Sequence, residues 1–170
     1  MNNTKRIVVL GLMVALSLVL SIIESWFPLP VPVPGVKLGL ANIITITVII
    51  FFGFADVLSV VFTRCILSSI FGGGITGFLF SISGGMLSAI AMYILYKKGS
   101  KLFSTIGISV AGAVTHNIAQ IVVASFIMKD IAVFAILPLL LISGGVMGIF
   151  IGLCSGFLER AIRNTKIEFK

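Results

Sequence analysis

The chain has 170 residues, of which 59% are hydrophobic and 10% are charged, and its mean hydropathy is +1.26. An ordinary soluble domain carries roughly 25% charged residues, and a small globule cannot bury this much apolar surface, so the composition excludes a soluble globular protein and predicts one whose solvent is lipid. The net charge of +7 does not indicate nucleic-acid binding, because the basic residues stand in short segments beside apolar runs.

Six apolar segments approach or exceed the length that crosses a bilayer as a helix, about 20 residues. They lie at residues 7–23, 38–54, 57–71, 78–96, 106–128 and 131–157. Prolines follow the first segment, three glycines follow the third and lysines follow the fourth, and each of these interrupts an apolar helix. The sequence therefore predicts a single all-α integral membrane domain over residues 1–170, built as a bundle of six transmembrane helices.

The lysines and arginines predict the orientation, because they accumulate in the cytoplasmic segments of membrane proteins. If the N-terminus lies inside, the outer loops carry only Lys37 and Lys129. The inner segments then carry Lys5, Arg6, Lys97, Lys98, Lys101, Arg160, Arg163, Lys166 and Lys170. We therefore expect a multi-pass protein of the cytoplasmic membrane with both termini in the cytoplasm.

Arg64 stands near the middle of the third predicted span, where a charge costs roughly 2.5–3.5 kcal/mol. No acidic residue lies three or four positions away on its own helix, so the same turn cannot neutralise it. A guanidinium is planar and binds a carboxylate or a phosphate through two parallel hydrogen bonds. Two interpretations stay open: contact with an anionic ligand, and structural pairing with polar groups of other helices.

The fifth span carries a second polar group, formed by His116, Asn117 and Gln120, which lie within about 100° of one another around the helix. Asn42 in the second span faces a similar way, and Lys37 precedes that span at the outer surface. This face either binds a ligand or makes hydrogen bonds between helices. We expect no metal site, because no cluster of cysteine, histidine and carboxylate residues has ligand spacing. No cofactor is predicted.

Small residues predict two surfaces where helices approach closely, as membrane helices do at glycine and alanine. On the sixth span, glycines recur at every fourth position: Gly144, Gly148, Gly152 and Gly156. This stripe packs either inside the bundle or against a partner. Gly11 and Ala15 form a shorter version on the first span. The proline-rich loop at residues 28–35 is either a stiff connector or a lid over an outward-facing pocket.

Four sequence features together resemble a bacterial membrane family. They are PGVKLGLANI at residues 34–43, Arg64 within its span, FSISGG at residues 80–85 and GAVTHNIAQ at residues 112–120. On these residues the chain is identified as a member of the Gx transporter family, which is also described as heptaprenyl diphosphate synthase component I. The likeness runs in order over nearly the whole chain. Such proteins are similar in kind to the substrate-binding S components of energy-coupling factor (ECF) vitamin transporters.

The resemblance implies a six-helix subunit with one ligand site near the outer surface, which docks on an ECF transmembrane subunit energised by ATPases. Gly11 and Ala15 stand where the Ala-x-x-x-Ala docking pattern of S components would lie, with glycine in the first position. We predict a small, anionic, vitamin- or cofactor-like ligand. The predicted binding residues are Arg64, His116, Asn117, Gln120, Asn42 and Lys37.

The enzyme-like family description fits the residues poorly. Prenyl diphosphate synthases hold magnesium with aspartate-rich motifs, whereas this chain has two aspartates, Asp56 and Asp130, on opposite predicted faces of the membrane. We expect no catalytic residue and no enzyme activity from this chain alone. Two alternatives to the importer subunit remain: a non-catalytic membrane accessory component of isoprenoid or menaquinone synthesis, and a stand-alone secondary carrier.

Overall fold

A computed structural model describes residues 2–26, 37, 39–99 and 102–165, without the side chains at 72 and 73. This part of the chain contains six α-helices and no strand. The helices are α1 (Asn3–Ser25), α2 (Asn42–Phe51), α3 (Phe54–Ser68), α4 (Gly74–Gly99), α5 (Thr105–Met128) and α6 (Leu137–Asn164). Five helical segments are long and apolar enough to cross a membrane, which confirms the predicted all-α membrane bundle. The proline-rich loop at 28–35 lies outside the described residues.

Helix α2 is the exception to the predicted spans, because it has ten residues where the hydropathy predicted a span at 38–54. Ten residues extend about 15 Å, roughly half of the hydrocarbon layer. The helix contacts all five other helices, and Val48 is fully buried at its centre. The predicted length was wrong because hydropathy does not distinguish burial in lipid from burial in protein. Helix α2 is the inner core of the bundle, and the others surround it.

A tight reversal joins α3 to α4. A π-helical turn, Ser69–Gly73, continues α3, and Gly74 then takes a left-handed φ of 57°, which glycine adopts without strain. The predicted glycine loop is therefore a compact turn. At the other end, the Asp56 carboxylate accepts a hydrogen bond from the Gly53 N–H at 3.1 Å and so caps the start of α3.

Helices α5 and α6 pack backbone to backbone along the predicted glycine stripe. A Cβ atom on Gly148 would lie 2.7 Å from Val110 Cα, and one on Gly152 would lie 2.6 Å from Ile106 Cα. Real Cβ atoms do not approach other carbons this closely, so the two helices meet only because these positions lack side chains. At Gly148 and Gly152 the stripe therefore packs inside the bundle. Gly156 is different, because a Cβ atom there would meet no atom within 4 Å.

Candidate functional site

Polar side chains of α1 face the bundle interior toward the end of that helix. Ser17, Ser21 and Glu24 are buried, and Glu24 is only 5% exposed. The spacing of four and then three residues places all three on one helical face. That spacing is the sequence signal for an inward polar stripe, and hydropathy alone misses it.

The Glu24 carboxylate holds the segment that leads into α2. It accepts hydrogen bonds from the backbone N–H groups of Gly39 and of Leu40, the second at 3.2 Å. Gly39 has a left-handed φ of 88°, a conformation that glycine permits. Glu24 therefore fixes residues 39 and 40 at the end of the bundle where α1 and α3 finish and α2 begins. In the predicted orientation this is the outer end.

Lys37 reaches from this segment into the bundle. Its ammonium group donates to Ser21 Oγ at 3.1 Å and lies 3.5 Å from Ser68 Oγ, and its backbone N–H donates to Gln120 Oε1 at 3.2 Å. Burial lowers the pKa of the Lys37 ammonium; the Glu24 carboxylate opposes this shift and the Arg64 charge adds to it. Lys37 thus connects α1, α3 and α5 at the predicted outer end of the bundle.

Two glycines of α4 make room for Arg64 and His116, and both belong to the FSISGG run. A Cβ atom on Gly84 would lie 2.8 Å from His116 Cε1, and one on Gly85 would lie 2.9 Å from Arg64 Nη2. The two ionisable side chains therefore lie against the backbone of the same helix, one from α5 and one from α3. Both side chains are buried: Arg64 is 4% exposed and His116 is 3% exposed.

Asn42 completes this group at the start of α2. Its side chain lies beside Gly39, where His116 also approaches, and its Oδ1 is 3.5 Å from the Ser88 hydroxyl. The structure thus brings five of the six predicted binding residues together. They are Arg64, His116, Gln120, Asn42 and Lys37. We call these five residues and Glu24 the outer cluster.

Asn117 does not join the outer cluster. Its Nδ2 donates to the Leu140 carbonyl oxygen at 2.6 Å, and its side chain lies against Gly144 of α6. The adjacent residues His116 and Asn117 therefore point to opposite neighbours of α5. The sequence ISGG occurs at 82–85 in α4 and again at 142–145 in α6. Its first glycine lies against His116 in α4 (Gly84) and against Asn117 in α6 (Gly144). We assign Asn117 to the α5–α6 contact.

The outer cluster contains an excess of buried polar groups without partners among the described residues. Natural proteins satisfy most buried polar atoms, and each exception costs about 1–3 kcal/mol. The cluster atoms concerned are Asn42 Nδ2, Arg64 Nε, Arg64 Nη2 and Gln120 Nε2, whereas the His116 ring interacts with the Gly84 backbone. All four atoms are N–H donors. The cluster therefore contains several hydrogen-bond donors for which the described residues supply no acceptor.

The charges of the outer cluster do not balance. Lys37 and Arg64 both act electrostatically on Glu24, which is its one carboxylate. Within the described chain the ion pairs are Arg6–Asp56 and Arg163–Glu159, and neither belongs to the cluster. By formal charge the cluster therefore has two basic side chains and one acidic side chain in a buried environment, which favours an anion.

We expect Glu24→Gln to release residues 39 and 40. A glutamine amide offers one acceptor oxygen in place of two, and hydrogen bonds to a charged group are worth about 1.5–3 kcal/mol each. Backbone amides of Gly39 and Leu40 should therefore exchange with deuterium at least about tenfold faster. Hydrogen-exchange mass spectrometry measures this, with Glu159→Gln as the control, because Glu159 is partly exposed and bonds to Arg163 one turn along α6. Unchanged exchange at residues 39 and 40 would show that Glu24 does not hold the segment.

Gly11 and Ala15 lie together on the exposed face of α1, and a Cβ atom on Gly11 would meet nothing within 4 Å. The first helix therefore presents small residues outward, where close approach of another helix is unobstructed. Their role in docking stays a prediction.

Among the described residues, no group of three histidine, cysteine, aspartate or glutamate side chains is placed to hold a metal ion.

Comparison with known proteins identifies one family. The model of the family described as heptaprenyl diphosphate synthase component I matches residues 13–158. This range includes all residues of the outer cluster and most of the described bundle. No curated protein and no solved structure matches the chain significantly.

Proposed function

This chain belongs to the heptaprenyl diphosphate synthase component I family, and from the chemistry of the outer cluster we propose that it is the ligand-binding membrane subunit of an importer. In this proposal the chain resembles an ECF S component and captures its ligand in the outer cluster. The observation that supports the proposal is the set of buried hydrogen-bond donors on Arg64, Asn42 and Gln120 that have no partner among the described residues. Such a set costs stability in the empty protein, and a bound ligand would satisfy it.

The chemistry of the outer cluster supports a small ligand with a single negative charge. Arg64 offers a guanidinium with two nitrogens that have no partner among the described residues, which suits a carboxylate or a phosphate oxygen pair. Asn42 and Gln120 offer amide N–H groups for neutral acceptors such as carbonyl oxygens. Lys37 lies at the predicted outer end of the cluster, where it bonds to Ser21 and Gln120.

Transport through this subunit would depend on partners. The proposal assigns energy to an ECF-type transmembrane subunit with its ATPases, and docking to the exposed small residues Gly11 and Ala15 on α1. The subunit would work in the cytoplasmic membrane, with the outer cluster facing the external side, as the lysine and arginine distribution predicts.

Native mass spectrometry tests the proposal on protein purified gently from its own membranes. We expect a small bound mass on the wild-type protein and its loss from His116→Ala. Thr115→Ala is the matched control, because Thr115 is the preceding residue of α5 and its hydroxyl bonds to Ala111 within the same helix at 2.8 Å. Absence of any bound small mass, together with no co-purifying energising module, would remove the importer proposal.

A second candidate function rests on the family description itself. A non-catalytic membrane accessory component would hold a soluble prenyl diphosphate synthase at the membrane through its basic cytoplasmic segments. Lys97 and Lys98 end α4 on that side, and Lys101 follows outside the described residues. Co-purification of such an enzyme, lost when the three lysines are replaced by alanine, would favour this function. Association that survives the triple replacement would count against it.

A further inference from the structure

A pocket lies at the opposite end of the bundle from the outer cluster. It has a volume of about 470 Å³, within the usual range for small-molecule sites. Its walls come from the start of α1, the α2–α3 turn and the last turns of α4. The residues that line it are Arg6, Ile49, Ile50, Phe51, Phe52, Gly53, Asp56, Tyr93, Tyr96 and Lys97. In the predicted orientation this pocket opens at the cytoplasmic interface of the membrane.

The pocket carries a net positive charge. The Arg6 Nη2 atom donates to both carboxylate oxygens of Asp56, at 2.8 and 2.7 Å, so this aspartate is already neutralised. Asp56 also accepts the Gly53 N–H at 3.1 Å. Arg6 lines the pocket and keeps 49% of its side chain exposed. Lys97 adds the second positive charge, and among the described residues no further acid lines the walls.

The remaining walls are aromatic and aliphatic. Tyr93 lies beneath Lys97, whose ammonium nitrogen is 5.9 Å from the ring centroid, within the range of a cation–π contact. Phe54 packs on the same tyrosine with ring centroids 4.8 Å apart, which braces the ring. Tyr96 stands one turn further on α4, and the apolar end of α2 closes the floor. A soluble anion would contact only the basic residues Arg6 and Lys97. An amphiphile would contact these residues and the apolar walls as well.

We propose that this pocket, which we call the basic pocket, binds the phosphate headgroup of an anionic membrane lipid. The phosphate would lie between Arg6 and Lys97, and the glycerol and upper acyl carbons would contact the aromatic walls. Basic pockets between transmembrane helices on the cytoplasmic side commonly recognise anionic headgroups, and tyrosines are enriched at the same depth. The bound lipid would join α1 to α4, two helices that the Arg6–Asp56 ion pair does not link directly.

Native mass spectrometry of the full chain, titrated with phosphatidylglycerol or phosphatidylcholine, tests this site. We expect phosphatidylglycerol to bind more tightly than phosphatidylcholine. Lys97→Gln should weaken phosphatidylglycerol binding about fivefold, and Lys97→Glu should weaken it further. Lys98→Gln is the matched control, because Lys98 is the next residue, is exposed and does not line the pocket. Lys97 is itself exposed, so we expect its replacement to leave the fold intact.

Three outcomes would overturn the proposal. Equal weakening by Lys97→Gln and Lys98→Gln would mean that the lipid is attracted by diffuse surface charge. Equal binding of the two lipids would mean that the headgroup charge is not recognised. Displacement of phosphatidylglycerol by excess inorganic phosphate, with phosphate bound in its place, would assign the pocket to a soluble phosphate. None of these results depends on a ligand in the outer cluster, so this test and the test of the importer proposal fail independently.

Discussion

Arg64→Gln is expected to raise the thermal stability of the ligand-free protein and to weaken ligand binding at least about 30-fold. The two effects have one cause. Arg64 is 4% exposed, and its Nε and Nη2 atoms have no partner among the described residues. Replacing the guanidinium with a neutral amide removes the uncompensated charge, because Lys37 and Glu24 then balance each other. Removal of a destabilising functional residue of this kind commonly stabilises a protein by about 0.5–2 kcal/mol.

The loss of affinity follows from the same charge. Truncating one partner of a buried, hydrogen-bonded charge pair costs about 2–5 kcal/mol, and 2 kcal/mol corresponds to about 30-fold. Retention of the co-purifying small mass measures binding, and unfolding of the detergent-solubilised protein measures stability. Arg163→Gln is the control, because Arg163 forms an exposed ion pair with Glu159 at 2.9 Å and such pairs contribute little.

This pair of measurements separates the two interpretations of Arg64 that the sequence leaves open. A ligand-binding arginine predicts a more stable protein that no longer holds its ligand. A structural arginine predicts a less stable protein, because its partners would lose a buried hydrogen-bonding group. Destabilisation by Arg64→Gln with binding unchanged within twofold would therefore remove Arg64 from the site.

Gly148→Leu is expected to destabilise the bundle by about 3 kcal/mol or more. The new side chain would begin 2.7 Å from Val110 Cα, which is backbone and cannot rotate away. Helices α5 and α6 would have to separate, and the hydrogen bond from Asn117 to the Leu140 carbonyl oxygen lies on the same contact. Unfolding by a graded denaturing detergent measures the change.

Gly156→Leu is the matched control for this experiment. Gly156 belongs to the same glycine stripe of the same helix, but a Cβ atom there meets no atom within 4 Å. Leucine is also a better helix former than glycine, so we expect little change or a slight gain in stability. If both replacements destabilised the protein equally, the close packing of α6 on α5 would not be the reason for the stripe.

Local patterns in the amino-acid sequence are enough to specify the membrane environment, the helical class and the polar face of α5. These patterns are apolar runs longer than a bilayer requires, glycine and proline at the breaks, and a 3.6-residue period that groups His116 with Gln120. The cost of a charge in lipid also singles out Arg64 from its position within an apolar run. Each of these inferences depends on residues that are close together in the chain.

Which of these features meet depends on the tertiary packing. Hydropathy predicted a full span for residues 38–54, but α2 is a short helix buried among the other five, because protein and lipid are equally apolar surroundings. His116 and Asn117 were predicted to share a site. In the structure His116 lies against Gly84 of α4, whereas Asn117 lies against Gly144 of α6. Glu24 belongs to the outer cluster because its carboxylate accepts hydrogen bonds from the backbone amides of residues 39 and 40. Glu24 and Gly39 are 15 residues apart in the chain, so no local pattern indicates this contact. The meeting of Arg64, His116 and Lys37 depends on how α3, α4 and α5 pack around α2, and no local pattern specifies that arrangement.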